Sequence, residues 1–329
     1  MKKSSLLKTK QTRDKQLKTE KLNKQLLIEL EEKERLLQGV LAHNKFKGIN
    51  VIKATSKNYS SSTAFAVWSD WHLEENVDPK KVNGLNSFNL GIAKDRVSNC
   101  AINTVKLLKR QSTGEKIDAL YICLLGDFIS GNIHEELLQN CSLPPIKASL
   151  FARDLLKSSI QYVFDNTDIP VRVICLVGNH PRITKKIFVS QEQENSLEYF
   201  MYNYLANDFE GLQRLKFEIA TGYHHYLNIY DYVVRLHHGH SVSYGGGVGG
   251  LTIPLNKKIQ IWNYTKRADY DVLGHFHQFL DGGSFIVNGS LIGYNAYAIR
   301  IGAKFEPPRQ AFFLINSQHG KSIVAPIFL

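Results

Sequence analysis

Four cysteines occur in 329 residues, and no two of them form a C-x-x-C pair. Cys100, Cys123, Cys141 and Cys175 are scattered, which argues against a disulfide framework or a cysteine zinc site and fits a reducing cytoplasm. Cys123 and Cys175 sit inside apolar runs and read as buried thiols. Long apolar runs are also missing. The longest, ALYICLL and VRVICLV, have the length of strands, far short of the roughly 18 residues that a membrane span needs. No membrane partner is expected. The opening MKKSSLLKTKQTRDKQ has no apolar core of the signal-peptide kind, which argues against export and for a cytoplasmic location. Glycine and proline are absent until Gly39, and no internal repeat or sustained heptad pattern occurs.

The residues that are present divide the chain into two parts. Residues 1–48 carry 13 Lys+Arg against 6 Asp+Glu, a net of +7 out of +11, which leaves only +4 for the other 281. This basic stretch reads as a helical arm. Leu26, Leu30, Leu37 and Leu41, at steps of four, seven and four, form one apolar stripe on it. A stripe of that kind suits docking, so a homo-oligomer or a partner protein is expected through the arm. Any argument for nucleic acid from charge also rests on the arm.

Residues 62–329 have the texture of one domain, and a 43% hydrophobic chain can bury a large core. The runs TAFAVWSD, DALYICLLGD, VRVICLVGN, YVVRLHHG and YDVLGH read as strands. FNLGIAKDRVSNCAINTVKLLKR and IKASLFARDLLKSSIQYVFDN read as helices between the first three. Alternation of this kind predicts an α/β layer fold. The strand-rich C-terminal part, with GSFIVNGSLIGYNAYA, RQAFFLIN and SIVAPIFL, is expected to form a second sheet or the far half of a sandwich.

Each strand ends in reactive residues. They are Asp70-Trp71-His72, Gly126-Asp127, Gly178-Asn179-His180, His237-His238-Gly239-His240 and Gly274-His275-Phe276-His277. Ligands of α/β sheets bind beyond the carboxyl ends of strands. On an extended backbone His275 and His277 would face one point, since positions i and i+2 share a side. Carboxylate, imidazole and amide oxygen together suit borderline divalent ions such as Mn²⁺, Fe²⁺ or Zn²⁺, whereas a purely oxygen cage would favour Ca²⁺ or Mg²⁺; two divalent ions are expected, Mn²⁺ first, with Fe²⁺, Zn²⁺ or Mg²⁺ as alternatives. There are too many donors for one ion, and two ions can clamp a phosphate for in-line attack.

In this order the five motifs resemble the calcineurin-like metallophosphoesterases over residues 62 to 300. The resemblance implies a four-layer α/β/β/α sandwich of two mixed sheets, with a dinuclear metal site at the strand C-terminal ends. By motif, Asp70, His72, Asp127 and His277 would hold one ion. Asp127 would bridge to a second ion, completed by Asn179, His238 and His275. His180 would be catalytic, contacting the substrate phosphate and protonating the leaving oxygen. Many members follow Gly-Asn-His with an acid that steadies the histidine; here Pro181-Arg182 follows, so another acceptor must fix the His180 tautomer. GDFISG lacks the Asp-Arg-Gly of the protein phosphatases. The GNHPR version is more similar to bacteriophage and prophage members described as repair-exonuclease-like.

Other residues are weighed against ordinary roles. Arg182 is a candidate for a phosphate contact or for a structural arginine, and His240 for a substrate contact or a loop residue. Trp71 reads as packing, with base stacking the alternative, and His237 reads as a packing residue. His224 and His225 are expected at the surface. SYGGGVGGLTIPLNKK, residues 243–258, is a candidate lid carrying Lys257 and Lys258. The reading is a divalent-metal phosphodiesterase acting on DNA as an exonuclease or nuclease. A phosphomonoesterase or small-molecule phosphodiesterase is the alternative, and a DNA-binding or scaffold protein with a degenerate site the second.

Overall fold

The computed structural model describes residues 2–44, 60–133, 135–244 and 250–329. Two compact units, 1–58 and 59–329, are distinguished. The described residues of the first form one helix, α1 (Lys2–Asn44). At about 1.5 Å per residue it is roughly 65 Å long. Leu26, Leu30, Leu37 and Leu41 are all more than half exposed on it.

The second unit runs β1 (Ser61–Trp68), α2 (Leu90–Gln111), β2 (Lys116–Leu124), α3 (Glu135–Asn140), α4 (Pro145–Asp165), β3 (Val171–Cys175), α5 (Leu197–Asn207), β4 (Leu215–Ile219), β5 (His225–Ile229) and β6 (Tyr232–His237). It continues with α6 (Thr252–Thr265), β7 (Tyr270–Leu273), β8 (Leu280–Asp281), β9 (Phe285–Val287), α7 (Ala296–Arg300), β10 (Arg309–Asn316) and β11 (Gly320–Phe328). One six-stranded sheet has the order β11-β10-β1-β2-β3-β4, with β1 to β4 parallel and β10 and β11 antiparallel. The other has the order β5-β6-β7-β9-β8, with β6, β7 and β9 parallel.

Three cores separate four layers. Ala64, Ala66 and Trp68 of β1, with Leu120, Ile122 and Leu124 of β2, face α2, α4 and α5. Alternate residues Phe65, Val67, Cys123 and Ile174 face Leu227, Val234, Leu236, Val272 and Ile286 of the other sheet. Leu273, Phe285 and Val287 point the other way, onto Leu255 and Ile259 of α6. The period of two along each strand therefore sorts its residues between layers. The result is an α/β/β/α sandwich of two mixed sheets.

The C-terminal strands divide between the sheets. Phe285–Val287 lies in the second sheet as β9, as expected, but β10 and β11 do not: β10 pairs with β1 in the first, Phe65 opposite Phe313, their rings stacked at 4.5 Å. The run AFFLI is apolar on both faces, with Phe312 and Leu314 in one core and Phe313 and Ile315 in the next. Such a strand needs cover on both sides, which the first sheet supplies. The candidate lid is also revised. Residues 252–265 form α6, because Leu251, Leu255 and Ile259 make a buried stripe at helical spacing; residues 245–249 lie outside the described residues. No helix among the described residues is long and apolar enough to cross a membrane.

Candidate metal centre

The strand ends meet. Asp70 lies two residues beyond β1, Asp127 three beyond β2, Asn179 four beyond β3, His238 one beyond β6 and His275 two beyond β7. Backbone bonds zip neighbouring loops together: Asp70 N–H to Gly126 O at 2.9 Å, His72 N–H to Asp127 O at 3.1 Å, and Gly274 N–H to His238 O at 2.9 Å. Two groups of donor atoms result, Asp70 with His72 and His277, and Asp127 with His238 and His275. A third grouping puts His180 with His72 and Asp127. Asn179 joins the second group through Oδ1, 3.1 Å from His238 Nε2.

Backbone strain is concentrated here. Among the described residues seven non-glycines have positive φ, and five of them are Asp70, His72, Asp127, His275 and His277. A left-handed residue costs about 1–3 kcal/mol and persists where its surroundings over-determine it. This corrects the expectation for His275 and His277. They are left-handed loop residues rather than strand residues, so the extended-backbone reading of one shared point does not hold, while their separation into different groups is the one the motif assignment gives.

The donors face each other in a way that calls for positive charge. His238 Nδ1–H donates to the Leu125 carbonyl at 2.7 Å. Its Nε2 then points at two acceptors, Asp127 Oδ2 at 2.9 Å and Asn179 Oδ1 at 3.1 Å. Burial opposes an imidazolium at His238, yet Asp127 outweighs it and pushes the group up to about 10. Burial likewise opposes ionised Asp127, but His238 and His180 hold it well below the usual carboxylate range. In the other group His72 Nε2 and His277 Nε2 stand 3.2 Å apart, with Asp70 Oδ1 3.4 Å from the latter. Burial and the nearby His180 and His277 keep His72 neutral, well below its ordinary value. Lone pairs converging in a buried space need a proton or a cation among them, and this mixture of N and O donors fits a borderline divalent ion.

Ser130 organises the approach to His72 and His180. Its carbonyl accepts from His180 Nδ1 at 3.0 Å, which leaves Nε2 as the basic nitrogen of the neutral ring. This carbonyl is the acceptor that the missing acid after Gly-Asn-His required. The Ser130 hydroxyl lies 3.0 Å from His72 Nδ1 and 3.3 Å from Glu75 Oε2, a relay that aims His72 Nε2 at the site. Glu74 accepts from Ser130 N and Gly131 N at 2.8 and 3.0 Å, and burial raises it to about 7. On the Asp70 side, Asn288 Nδ2 donates to Ser69 Oγ at 2.9 Å, and Ser69 Oγ–H donates to Asp70 Oδ2. Asp70 also accepts the His275 N–H at 2.9 and 3.0 Å. Gln310 Oε1 takes Ser69 N–H and Trp71 Nε1–H at 2.8 and 3.1 Å. Glu198 takes Phe128 N–H and Gly178 N–H at 2.7 and 2.8 Å; burial and Asp127 push it up to about 8.

These supporting residues escaped the sequence reading. Glu198 sits in the first turn of α5, where an acid is ordinary. Gln310 carries a trace, a polar residue inside the apolar strand RQAFFLIN. The Glu74-Glu75 pair, one residue after Asp-x-His, is a further trace.

The remaining candidates find plain positions. Arg182 Nη1 donates to Asn179 O at 2.6 Å and so braces the motif loop. His240 Nε2 lies 2.8 Å from Glu192 Oε1, its side chain 9% exposed. Trp71 is fully buried between Trp68 and Phe128, a packing residue. His237 is buried against Trp262 and 3.5 Å from Asp271 Oδ1. His224 is not the surface residue expected. It is half-buried, edge-on to Trp262 at 4.6 Å, and burial with the neighbouring His237 lowers it to about 3. The aromatic surface offered by α6 explains the difference.

No family model matches the chain, and no curated protein matches it. Solved structures do. An archaeal phosphodiesterase aligns at 12% identity over 80% of this chain and 99% of its own, with a TM-score of 0.36. A protein from Streptococcus pneumoniae, described as a predicted phosphoesterase, aligns at 12% identity over 80% and 97%, TM-score 0.30. Vacuolar protein sorting 29 from Cryptosporidium parvum aligns at 14% identity over 80% and 96%, TM-score 0.32. With scores this low, the architecture rests on the chain's own strand order and layers.

Proposed function

We propose that this chain is a divalent-metal-dependent hydrolase of phosphoric esters, specifically a phosphodiesterase, with DNA as the substrate and Mn²⁺ as the first-choice ion. One observation carries the reading: two largely buried Asp/His groups, linked by the third grouping of His72, Asp127 and His180, at the carboxyl ends of five strands. Asp70, His72, Asp127 and His277 would hold one ion; Asp127, Asn179, His238 and His275 the other. Bound divalent ions supply Lewis acidity and charge neutralisation toward a phosphoryl group.

The chain's own groups do the rest. Left-handed loops and backbone zips hold the donors in place, so little reorganisation is needed on binding. His180, with Nδ1–H committed to Ser130, keeps Nε2 basic; protonated there, it can deliver a proton to a departing oxygen. The assignment to DNA is supported by the basic arm, whose described Lys and Arg side chains, Lys10 to Arg35, are exposed on α1. Hydrolysis of a generic phosphodiester, a phosphomonoester, and single- and double-stranded DNA, each with Mn²⁺, Mg²⁺ or Zn²⁺, tests it. Preference for the monoester removes the phosphodiesterase assignment. Turnover of the generic diester without DNA cleavage removes the nuclease. No turnover and no bound ion would leave a scaffold.

A further inference from the structure

Asp127 is the most demanding residue of the centre. Its φ is +57°, its carboxylate is buried, and it belongs to two of the three donor groupings, one with His72 and His180 and one with His238 and His275. A left-handed turn at Asp127 sends the following N–H, that of Phe128, inward, where no water reaches it. A buried N–H must find an acceptor. The loop after β3 has the same need at Gly178, the residue before Asn179. These two loops touch: a Cβ on Gly126 would lie 2.1 Å from Gly178 N, and one on Gly178 would lie 2.0 Å from Asp127 Oδ1.

A single side chain meets both needs. Glu198 reaches from the first turn of α5, and its two carboxylate oxygens take Phe128 N–H at 2.7 Å and Gly178 N–H at 2.8 Å. Its own helix start is tied to the same region: Ser196 Oγ accepts Glu198 N–H at 3.2 Å, and Leu197 N–H donates to Pro181 O at 3.0 Å. Glu198 is 1% exposed and touches no donor atom of the centre directly. We infer that Glu198 is a positioning residue: its carboxylate clamps the Asp127 and Asn179 loops together and thereby sets how tightly the centre holds a divalent ion. This rests on the metal-dependent hydrolase reading above, since it assigns Glu198 a role in that same centre.

Glu198→Gln keeps the size but turns an NH₂ toward one of the two N–H groups. The matched control is Thr104→Val, in α2 and equally buried, which removes the hydroxyl bond to Cys100 O at 2.7 Å and touches neither clamped loop. Calorimetric titration of the full chain with Mn²⁺ should show an affinity about 10–100-fold weaker in Glu198→Gln. Thr104→Val should bind Mn²⁺ as the wild type does, even though it melts lower. A folded Glu198→Gln chain with wild-type Mn²⁺ affinity overturns the proposal. If Glu198→Gln does not fold, amide exchange of the metal-free wild type decides instead. Phe128 and Gly178 amides should exchange slowly without any ion, and fast exchange at both overturns the clamp. A wild-type chain that binds no Mn²⁺ ends the hydrolase reading, while the exchange measurement still decides the clamp.

Discussion

Gly178→Ala introduces the smallest side chain at a position where none fits. Its Cβ would stand 2.0 Å from Asp127 Oδ1 and 2.4 Å from Asp127 N. Non-bonded carbon sits comfortably at roughly 3.5–4 Å from its neighbours, so the two loops must part by about 1 Å or more. Gly178 is not in the left-handed region, so alanine's backbone preference adds nothing and the clash acts alone. The fold can absorb overpacking of this kind for about 1–3 kcal/mol. The centre cannot, because productive geometry tolerates only ~0.5 Å and a misplacement of ~1 Å costs on the order of 10²-fold in rate. The variant should therefore stay folded and melt a few degrees lower. It should lose metal and drop at least ~10²-fold in diester hydrolysis. Gly222→Ala is the control, since a Cβ there meets nothing within 4 Å. Elemental analysis, thermal melting and diester turnover on both variants give the answer. Wild-type metal content and turnover in Gly178→Ala would refute the reasoning.

Four further outcomes are expected. Asp127→Ala should lose both ions, whereas His275→Ala and His277→Ala should each mainly weaken one; elemental analysis that finds a full complement in Asp127→Ala ends the bridging role. His180→Ala should keep its metal and fold but lose ~10²–10⁴-fold in turnover, and the loss should shrink for a very acidic leaving group. An equal loss on both substrates would mean that His180 positions phosphate. Deleting residues 1–45 should leave small-diester hydrolysis unchanged, while DNA affinity falls and its salt dependence becomes shallower; sizing of both forms separates this from loss of a docking stripe. Arg235→Met should cost about 3–5 kcal/mol at neutral pH, because Arg235 Nε and Nη2 pair with fully buried Asp271 at 2.6 and 3.0 Å. Burial opposes ionised Asp271, but His237 and Arg235 hold it below its usual 3.8. The pair's contribution is thus present above that value and lost as pH falls through the folded one. Melting curves of both chains should converge in acid, and a constant gap would count against the pairing.

Much of the site was legible in the sequence because it is local. A strand that ends in Asp-x-His or Gly-Asn-His announces both the turn and the donors, and the five ends do meet. The layers of the fold followed from strand and helix texture for the first half, where each run is separated by a helix. They failed for RQAFFLIN, because an apolar run buried on both faces does not say which sheet provides the cover. The extended backbone expected at His275 and His277 fails for a related reason. Period-two logic holds only while the backbone stays extended, and histidine can adopt the left-handed region without any signal in its neighbours. The supporting acids were invisible because they act on backbone N–H groups far away in sequence. Glu198 lies 70 residues from Phe128.

Five strained donors also set a tension between keeping the fold and keeping the centre. His277 holds φ at +55° with no turn glycine to ease it. A glycine there would release about 1 kcal/mol or more of backbone strain while discarding a donor. Metal-free, such a chain should gain stability from the loss of its chemistry; under the proposed metal binding, saturating ion should outweigh that gain by stabilising only chains that keep the donor. A library of variants ranked by melting temperature in chelator would therefore drift toward empty centres, and the same library ranked with Mn²⁺ present would retain them. On the proposed metal binding, the presence of the ion would decide whether selection for robustness erodes the site or preserves it.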